Sequence, residues 1–303
     1  MEKVGFVGLG EMGQWMALNI LKAGFDLTVY DIRQGLMQSL VQSGAKPATS
    51  PAELARQVDW IFLSLPDTDV VEQVLFGDDG IAKGACSNQV VIDLSTISYR
   101  ATLNFAQRLA SQGIHFVDSP VSGMEARAKA GTLTVMFGGA ESIFNQVIPA
   151  LKAIGDQVIY AGETGSGQLS KLVNQLLFNI NVAAIAEVLP MAVKLGLDPE
   201  AVCQAVTTGT GRTFAIEFFA PHILENNFKP GYPLNKAYKD MVSAAEISSR
   251  KQIPLPVLAA AMQTYQMALA QGLGNENKGA MIKVWEKVLG VEVRKRDTGS
   301  ERL

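Results

Sequence analysis

The stretch that decides the fold is residues 4–13, which read VGFVGLGEMG. An apolar, β-branched run ends at Gly8, and a helical pattern begins near Met12. In this strand–turn–helix context, the first glycine of GxGxxG permits a tight turn and the second lets a pyrophosphate approach the backbone. The third, Gly13, lets the helix pack closely on the strand, and the N–H groups at the helix N-terminus attract phosphate. The sequence therefore predicts a dinucleotide-binding turn.

An acidic residue follows the second predicted strand. Asp31 lies 18 residues after Gly13, and a carboxylate at this place accepts hydrogen bonds from the ribose hydroxyls of NAD. The same carboxylate repels the 2′-phosphate of NADP. Arg33 follows two residues later and keeps the use of NADP open, because an arginine accommodates that phosphate. We therefore predict NAD as the cofactor, with NADP as the less favoured alternative.

The first half of the chain alternates short β-branched runs with amphipathic helical patterns. Such alternation predicts βαβ units, a parallel sheet and helices on both of its faces. We therefore predict an α/β fold in which residues 1–163 form a doubly wound, Rossmann-type dinucleotide-binding domain. The predicted strands are residues 4–7, 26–30, 60–64, 90–93, 115–118, 132–137 and 157–160.

The pattern changes after the glycine-rich segment 162–167, and the remainder is predicted to be helical. We predict an all-helical domain for substrate binding and oligomerisation over residues 164–292, and a charged tail over residues 293–303. The first helix, residues 168–195, is apolar around nearly its whole circumference, so it should be buried between domains or against a second subunit. This helix predicts a homodimer or a homotetramer, because so much apolar surface needs cover.

Composition excludes several classes of protein. The 303 residues are 48% hydrophobic and 18% charged, with a formal net charge of −3 and no dense basic block before the tail, which argues against nucleic acid as a partner. Cys86 and Cys203 are isolated, and no Cys/His cluster indicates a metal site. Two lone thiols and no signal-like segment predict a cytoplasmic protein. The charge-free stretch 172–186 is too short to span a membrane and is interrupted by asparagines.

Five separated blocks of sequence form a specific set. They are residues 6–13, 118–123, 131–136, 165–174 and 239–240. Together they resemble the β-hydroxyacid dehydrogenase family, which includes 3-hydroxyisobutyrate dehydrogenase, tartronate semialdehyde reductase and 2-(hydroxymethyl)glutarate dehydrogenase. 6-Phosphogluconate dehydrogenase is a distant relative of that family. The resemblance extends over residues 5–293.

Lys171 is the candidate for the chemical step. It lies at the start of the long apolar helix, and Asn174 and Gln175 share its helix face. Partial desolvation lowers the pKa of a lysine toward neutrality, as an acid/base group requires. The resemblance implies that Lys171 protonates the carbonyl oxygen during reduction and takes the proton back during oxidation. It also implies that Asn174 and Gln175 contact the substrate. From the residues alone, a lysine that reaches solvent is the alternative.

The substrate's acid group is assigned to a loop after a strand. The resemblance implies that Ser122 and Gly123 bind it through a hydroxyl and backbone N–H groups. The family usually has a second glycine where this chain has Met124, whose side chain reshapes the loop and disfavours positive φ. Arg212 lies in a block similar to that of 2-(hydroxymethyl)glutarate dehydrogenase, whose substrate has two carboxylates. We predict that Arg212 clamps a second anionic group, with a surface arginine as the alternative.

The resemblance also extends the cofactor site. It implies that Leu65 and Pro66 line the adenosine side, that Thr96 contacts the end with the nicotinamide ribose, and that Lys239 reaches the cofactor from the helical domain. The full predicted cofactor site is Gly8, Leu9, Gly10, Glu11, Met12, Gly13, Asp31, Leu65, Pro66, Thr96 and Lys239.

These features predict an NAD-dependent oxidoreductase that moves a hydride between nicotinamide and a short 3-hydroxy acid or its semialdehyde. The active site is expected between the two domains, outside the carboxyl ends of the strands. Candidate substrates are tartronate semialdehyde, 3-hydroxyisobutyrate, 2-(hydroxymethyl)glutarate, and succinic or glyoxylic semialdehyde. The alternatives are an imine reductase of related fold or a non-catalytic, cofactor-binding scaffold protein. Both usually lack a lysine at position 171.

Overall fold

The computed structural model describes residues 2–229 and 231–295. The chain divides into two compact units, residues 1–171 and 172–303. The first unit extends past the predicted boundary at residue 163 and includes the start of the long helix. A domain boundary at residue 163 stays a prediction.

The first unit is built on one sheet. Among the described residues it has nine strands. They are β1 (Lys3–Val7), β2 (Asp26–Tyr30), β3 (Lys46–Pro47), β4 (Trp60–Leu63), β5 (Val90–Asp93), β6 (His115–Asp118), β7 (Val121–Ser122), β8 (Thr134–Gly138) and β9 (Gln157–Gly162). The first six are parallel in the order β3-β2-β1-β4-β5-β6. This is the order of a Rossmann sheet, so the predicted fold class is confirmed.

The sheet changes direction beyond β6. Strand β8 runs antiparallel to β6 and to β7, and β9 pairs parallel with β8. The seven strands predicted from the sequence all form. The alternating pattern did not predict the antiparallel pairing, and it missed β3 and β7 because two-residue strands carry no detectable period.

Eight α-helices of the described chain lie wholly within the first unit. They are α1 (Gly13–Lys22), α2 (Gln38–Gln42), α3 (Pro51–Ala55), α4 (Thr68–Phe76), α5 (Ile81–Gly84), α6 (Tyr99–Ala110), α7 (Met124–Ala130) and α8 (Glu141–Ile154). Short polar side chains start two of them. Ser50 Oγ accepts the N–H of Glu53 at 3.1 Å before α3, and Asp67 Oδ1 accepts the N–H of Val70 at 2.9 Å before α4.

Successive residues of the central strands enter different cores. Trp60 and Phe62 of β4 belong to one apolar cluster, which also contains side chains of α1 and α8. Ile61 and Leu63 belong to a second cluster, which also contains side chains of α3, α4 and α6. Side chains alternate across a strand. Burial on both faces therefore produces the continuous apolar runs that the sequence displays.

The long helix α9 (Ser166–Lys194) begins in the first unit and continues into the second. The other α-helices of the described second unit are α10 (Pro199–Thr208), α11 (Phe214–Leu224), α12 (Leu234–Lys251), α13 (Pro256–Ala270) and α14 (Ile282–Leu289). One apolar cluster joins them, with Phe219, Met241 and Tyr265 at 1% exposure or less. No strand occurs among the described residues of this unit, and the prediction of an all-helical second half is confirmed.

Part of the apolar surface of α9 is exposed in the single chain. Val173 and Leu177 are 58% and 60% exposed, and Val188 and Met191 are 49% and 50% exposed. By length and composition alone this helix could cross a membrane. Of its most apolar 18-residue stretch, 39% is buried within the protein. A core helix of a soluble protein has the same properties, so the observation is weak evidence for a membrane.

The start of the predicted charged tail is packed. Val293 is fully buried, its N–H donates to Glu286 Oε1 at 2.8 Å, and Arg294 pairs with the same carboxylate at 2.6 Å. The Lys295 N–H donates to the Leu224 carbonyl at 3.0 Å. Residues 293–295 of the predicted charged tail are therefore packed against the second unit. The remainder, residues 296–303, lies outside the described residues.

Candidate active site

The carboxyl ends of four parallel strands form one edge of the sheet. Val7 is in register with Leu63, Leu63 with Asp93, and Asp93 with Asp118. The residues predicted for the cofactor and the acid group follow these strand ends. They are Gly8 to Gly13 after β1, Leu65 and Pro66 after β4, Thr96 after β5, and Ser122, Gly123 and Met124 after β6. Ligands of open α/β sheets bind at this edge.

The glycine turn is closed on one side and open on the other. Gly8 has φ +94°, and a Cβ there would lie 2.3 Å from the Ser64 carbonyl oxygen. A Cβ on Gly13 would lie 1.9 Å from the Gly8 carbonyl oxygen. A Cβ on Gly10 would meet only an Arg33 guanidinium nitrogen, at 3.7 Å. The first and third glycines are therefore required by packing, whereas the second faces space that a pyrophosphate could enter.

The turn is tied to the acidic residue after β2. Asp31 is buried, and its two carboxylate oxygens accept the backbone N–H groups of Leu9 at 2.7 Å and of Arg33 at 2.8 Å. The Arg33 side chain is 66% exposed and lies 3.5 Å from the same carboxylate. The residues present therefore fit a dinucleotide, with a carboxylate and an arginine both near the second glycine.

The remaining predicted residues of the cofactor turn differ in exposure. Leu9 is buried, Met12 is half-buried and Glu11 is exposed. Helix α1 begins at Gly13, and no side chain of the described residues caps its N-terminus. The next strand end is held by a hydroxyl, because the Leu65 N–H donates to Ser95 Oγ at 2.9 Å.

The loop formed by Ser122, Gly123 and Met124, called here the acid-group loop after its predicted role, has an unusual backbone. Gly123 has φ +144°, and a Cβ there would lie 2.9 Å from both Arg127 Cβ and Leu133 Cδ2. Met124 has φ +62°, in the left-handed region that favours glycine. Helix α7 begins at Met124. Because glycine adopts the left-handed conformation without steric cost, this backbone explains why the family usually has a second glycine at this position.

Lys171 lies in the first turns of α9 and is 7% exposed. Its Nζ donates to the Val121 carbonyl oxygen at 2.8 Å. Val121 directly precedes Ser122, so the buried amine contacts the backbone of the predicted acid-group loop. Asn174 and Gln175 follow on the same helix and are half-buried.

Asp118 and Gln168 were not predicted as site residues. Asp118 ends β6, and its carboxylate accepts the N–H of Gly165 at 2.6 Å and that of Gln168 at 2.7 Å. Burial raises the pKa of Asp118 to about 6, against the effect of these hydrogen bonds. Asp118 is the first residue of the sequence block 118–123 that carries part of the family resemblance, and this position is the signal that could have identified it. Its partners lie 47 and 50 residues away, and no local pattern indicates them.

Asp93 lies beside Asp118 in the adjacent strand. It is fully buried, and its Oδ1 accepts the N–H of Ser95 at 2.9 Å. Its Oδ2 has no hydrogen-bond partner among the described residues. Burial, with a smaller contribution from the Asp118 charge, raises the pKa of Asp93 to about 7.

The remaining predicted residues lie in the second unit. Gln175 Nε2 donates to Asp240 Oδ2 at 3.3 Å, and Lys239, next to Asp240 on α12, is exposed. Arg212 is 66% exposed and forms an ion pair with Glu217. A lysine that the sequence did not single out, Lys278, is buried in this unit.

Comparison with known proteins decides the family. A family model for the NAD-binding domain of 6-phosphogluconate dehydrogenase matches residues 3–162, and one for the NAD-binding of NADP-dependent 3-hydroxyisobutyrate dehydrogenase matches residues 165–285. The chain belongs to the β-hydroxyacid dehydrogenase family.

Individual relatives match over almost their whole length. The 2-(hydroxymethyl)glutarate dehydrogenase of Eubacterium barkeri is 38% identical, with 96% of this chain and 97% of the relative covered. The 2-hydroxy-3-oxopropionate reductase of Escherichia coli is 33% identical, with 94% and 97% covered. The crystal structure of 3-hydroxyisobutyrate dehydrogenase from Salmonella typhimurium has a TM-score of 0.85 at 30% identity, with 94% of this chain and 100% of that one covered.

This β-hydroxyacid dehydrogenase is therefore an enzyme, and its first unit binds NAD or NADP. The alternative of a non-catalytic scaffold protein is not supported. Among residues 2–229 and 231–295, no group of three or more His, Cys, Asp or Glu side chains could hold a metal ion.

The raised pKa of Asp93 predicts how stability depends on pH. Its folded-state pKa of about 7 lies above the unfolded value of 3.8. The stabilising contribution of the protonated group is therefore full below about pH 4 and is lost as the pH rises through about 7, by up to about 1.4 kcal/mol per pH unit. Asp93→Asn cannot ionise, so its advantage over the wild type in free energy of unfolding should grow from pH 5 to pH 8.

Urea denaturation at pH 5, 6.5 and 8 measures this difference. Asp78→Asn, at an exposed carboxylate that pairs with Lys83, is the matched control and should track the wild type at every pH. An Asp93→Asn advantage that is the same at pH 5 and pH 8 contradicts the prediction.

Proposed function

We propose that this enzyme transfers a hydride between NAD and a short 3-hydroxy acid or its semialdehyde, with Lys171 as the general acid and base. The observation that carries the proposal is the buried amine of Lys171, 2.8 Å from the carbonyl of Val121. This contact holds the amine next to the loop that begins at Ser122. A proton donor close to an acid-binding loop suits a substrate whose carbonyl is separated from its carboxylate by a single carbon.

The chain's own groups have distinct tasks in this mechanism. When bound, the dinucleotide supplies or accepts the hydride. The Ser122 hydroxyl and the backbone N–H groups of the following residues hold the substrate carboxylate. The Lys171 ammonium gives a proton to the carbonyl oxygen during reduction, and the neutral amine removes it during oxidation. Asn174, one helical turn after Lys171, hydrogen-bonds the same oxygen and steadies it.

NAD is the proposed cofactor. The buried carboxylate of Asp31 would meet the adenosine ribose, where a 2′-phosphate would place a second negative group beside it. Arg33 offers partial compensation, because its exposed guanidinium lies near both Asp31 and Gly10. The proposed enzyme therefore prefers NADH over NADPH without rejecting NADPH.

Replacement of Lys171 tests the chemical assignment. With a panel of short semialdehydes, wild-type enzyme should oxidise NADH with a higher kcat/KM than NADPH. Lys171→Ala should lower kcat by about 10²- to 10⁴-fold, because a positioned proton donor contributes that much. Its dissociation constant for NADH, measured by fluorescence, should stay within about twofold of the wild type. Added methylamine should restore part of the lost rate.

The control is Lys194→Ala, which removes another lysine of α9, one that is exposed and donates to the Leu289 carbonyl. This variant should keep the wild-type kcat. Full activity of Lys171→Ala refutes the acid/base assignment, and a preference for NADPH refutes the cofactor assignment.

The proposed substrates include acids with one carboxylate and acids with two. Monoanionic candidates are tartronate semialdehyde and 3-hydroxyisobutyrate, and the dianionic candidate is 2-(hydroxymethyl)glutarate. We favour the dianion because the relative that is 38% identical is named for it and because Arg212 offers a planar donor pair for a second carboxylate. In the free enzyme Glu217 occupies that guanidinium, so the substrate would have to replace Glu217.

Arg212→Ala should therefore raise KM for 2-(hydroxymethyl)glutarate by about tenfold or more, since a charge-assisted hydrogen bond contributes about 1.5–3 kcal/mol. KM for 3-hydroxyisobutyrate should change by less than about twofold. Steady-state kinetics with both substrates provide the measurement, and Arg250→Ala, at an exposed arginine of α12, is the control. Equal effects on the two substrates would leave Arg212 as a surface residue.

We also propose a cytoplasmic homodimer or homotetramer. The support is the row of exposed apolar side chains on α9, which includes Val173, Leu177 and Met191. Contiguous apolar surface on a soluble protein is usually covered by a partner. Sedimentation equilibrium at micromolar concentration should give two or four chains per particle. A monomer under those conditions contradicts this assembly.

A further inference from the structure

The first turn of α9 is anchored to the sheet by one buried carboxylate. Asp118 has no exposed surface, and its two oxygens accept the N–H groups of Gly165 and Gln168, at 2.6 Å and 2.7 Å. These N–H groups flank Ser166, where the helix begins. Each helix N-terminus has N–H groups without intrahelical partners and carries a partial positive charge. An ionised carboxylate at that place therefore holds the helix by both hydrogen bonding and electrostatic attraction.

Two glycines make this close approach possible. A Cβ on Gly138 would lie 2.8 Å from Asp118 Oδ1. A Cβ on Gly167 would lie 2.8 Å from Asp118 Oδ2 and 2.3 Å from the Met136 carbonyl oxygen. The carboxylate is thus enclosed by the backbones of β8 and α9. The helix start therefore has little freedom to shift along the sheet edge.

A second pair of hydrogen bonds fixes the same turn from the side of β5. Gln168 is buried, its Nε2 donates to the Ser95 carbonyl at 2.7 Å, and its Oε1 accepts the N–H of Ile97 at 3.2 Å. These contacts come from the loop that contains Thr96. The first turn of α9 is therefore bonded to the ends of two neighbouring strands.

Lys171 lies three residues after Gln168, so the two occupy the same face of the helix. We propose that Asp118 is a positioning residue, whose carboxylate fixes the first turn of α9 so that Lys171 Nζ is held at the Val121 carbonyl beside the acid-group loop. This inference rests on the proposed role of Lys171. Loss of the anchor should let the helix start move, and the amine should then no longer reach its place beside Ser122.

A double-mutant cycle separates positioning from plain stabilisation. The variants are Asp118→Asn, Lys171→Ala and the double variant, with kcat, KM, the dissociation constant for NADH and Tm measured for each. Asn is close in shape to Asp, but its NH2 group would face a backbone N–H and break one of the two bonds. Asp118→Asn should lower kcat by about 10- to 100-fold, as expected for a small misplacement of a reacting group. Its NADH affinity should stay within about twofold of the wild type.

The same substitution should change kcat by less than about twofold when Lys171 is already alanine. A merely structural role would lower kcat by the same factor in both backgrounds. The matched control is Asp93→Asn, which alters the neighbouring buried carboxylate, one that does not bond to α9. It should keep kcat within about twofold of the wild type.

If Asp118→Asn does not fold, Gln168→Met provides the second route, because it removes both side-chain bonds to the β5 loop and keeps the chain length. It should show the same loss of kcat and the same dependence on Lys171. The positioning role is overturned if Asp118→Asn or Gln168→Met lowers kcat by the same factor with and without Lys171. It is also overturned if both variants keep the wild-type kcat. Full activity of Lys171→Ala overturns the proposed function instead, so the two failures are distinguishable.

Discussion

The chemistry that we propose for the first unit depends on one contact, between the buried carboxylate of Asp118 and the N-terminus of α9. This contact joins β6, the last of the first six strands, to the helix that carries Lys171. The contact is favourable electrostatically because the helix N-terminus carries a positive partial charge that attracts the negative carboxylate. It is possible sterically because residues 138 and 167 are glycines, which leave room for the carboxylate. The same low-dielectric surroundings raise the pKa of the carboxyl to about 6, so ionisation at neutral pH is maintained by the hydrogen bonds it accepts.

The sheet edge presents two proposed binding regions through the ends of different strands. The end of β1 provides an open face at Gly10, suited to a pyrophosphate, while the end of β6 leads into the loop of Ser122. The registered ends of β4 and β5 lie between them. The parallel sheet thereby sets the separation of the glycine turn from the proposed acid-group loop, and both regions are loops carried on a regular scaffold.

Much of this arrangement could be predicted from the sequence, because the relevant signals are local. Buried parallel strands are continuous apolar runs, and the glycine turn has a fixed spacing, so the sheet and Gly8 to Gly13 could be located directly. The role of Asp118 could not, since its partners are about fifty residues away and are chosen by the packing of the helix. Arg212 and Glu217, like Val293 and Glu286, pair over only five and seven residues. These contacts were not predicted either, because each pair joins a helix to the irregular segment beside it and follows no regular spacing.

The left-handed backbone at Met124 limits which residues can replace it in the loop that we propose for substrate binding. Side chains other than glycine, asparagine and aspartate meet a steric cost of about 1–2 kcal/mol there, and β-branched residues fit least well. Few residue types are therefore suitable at position 124 when the size or charge of this loop is changed by mutation. The backbone torsion angles impose this limit independently of any contact with substrate. Greater variety is available at the exposed neighbours Glu125 and Ala126, which follow in ordinary helical geometry.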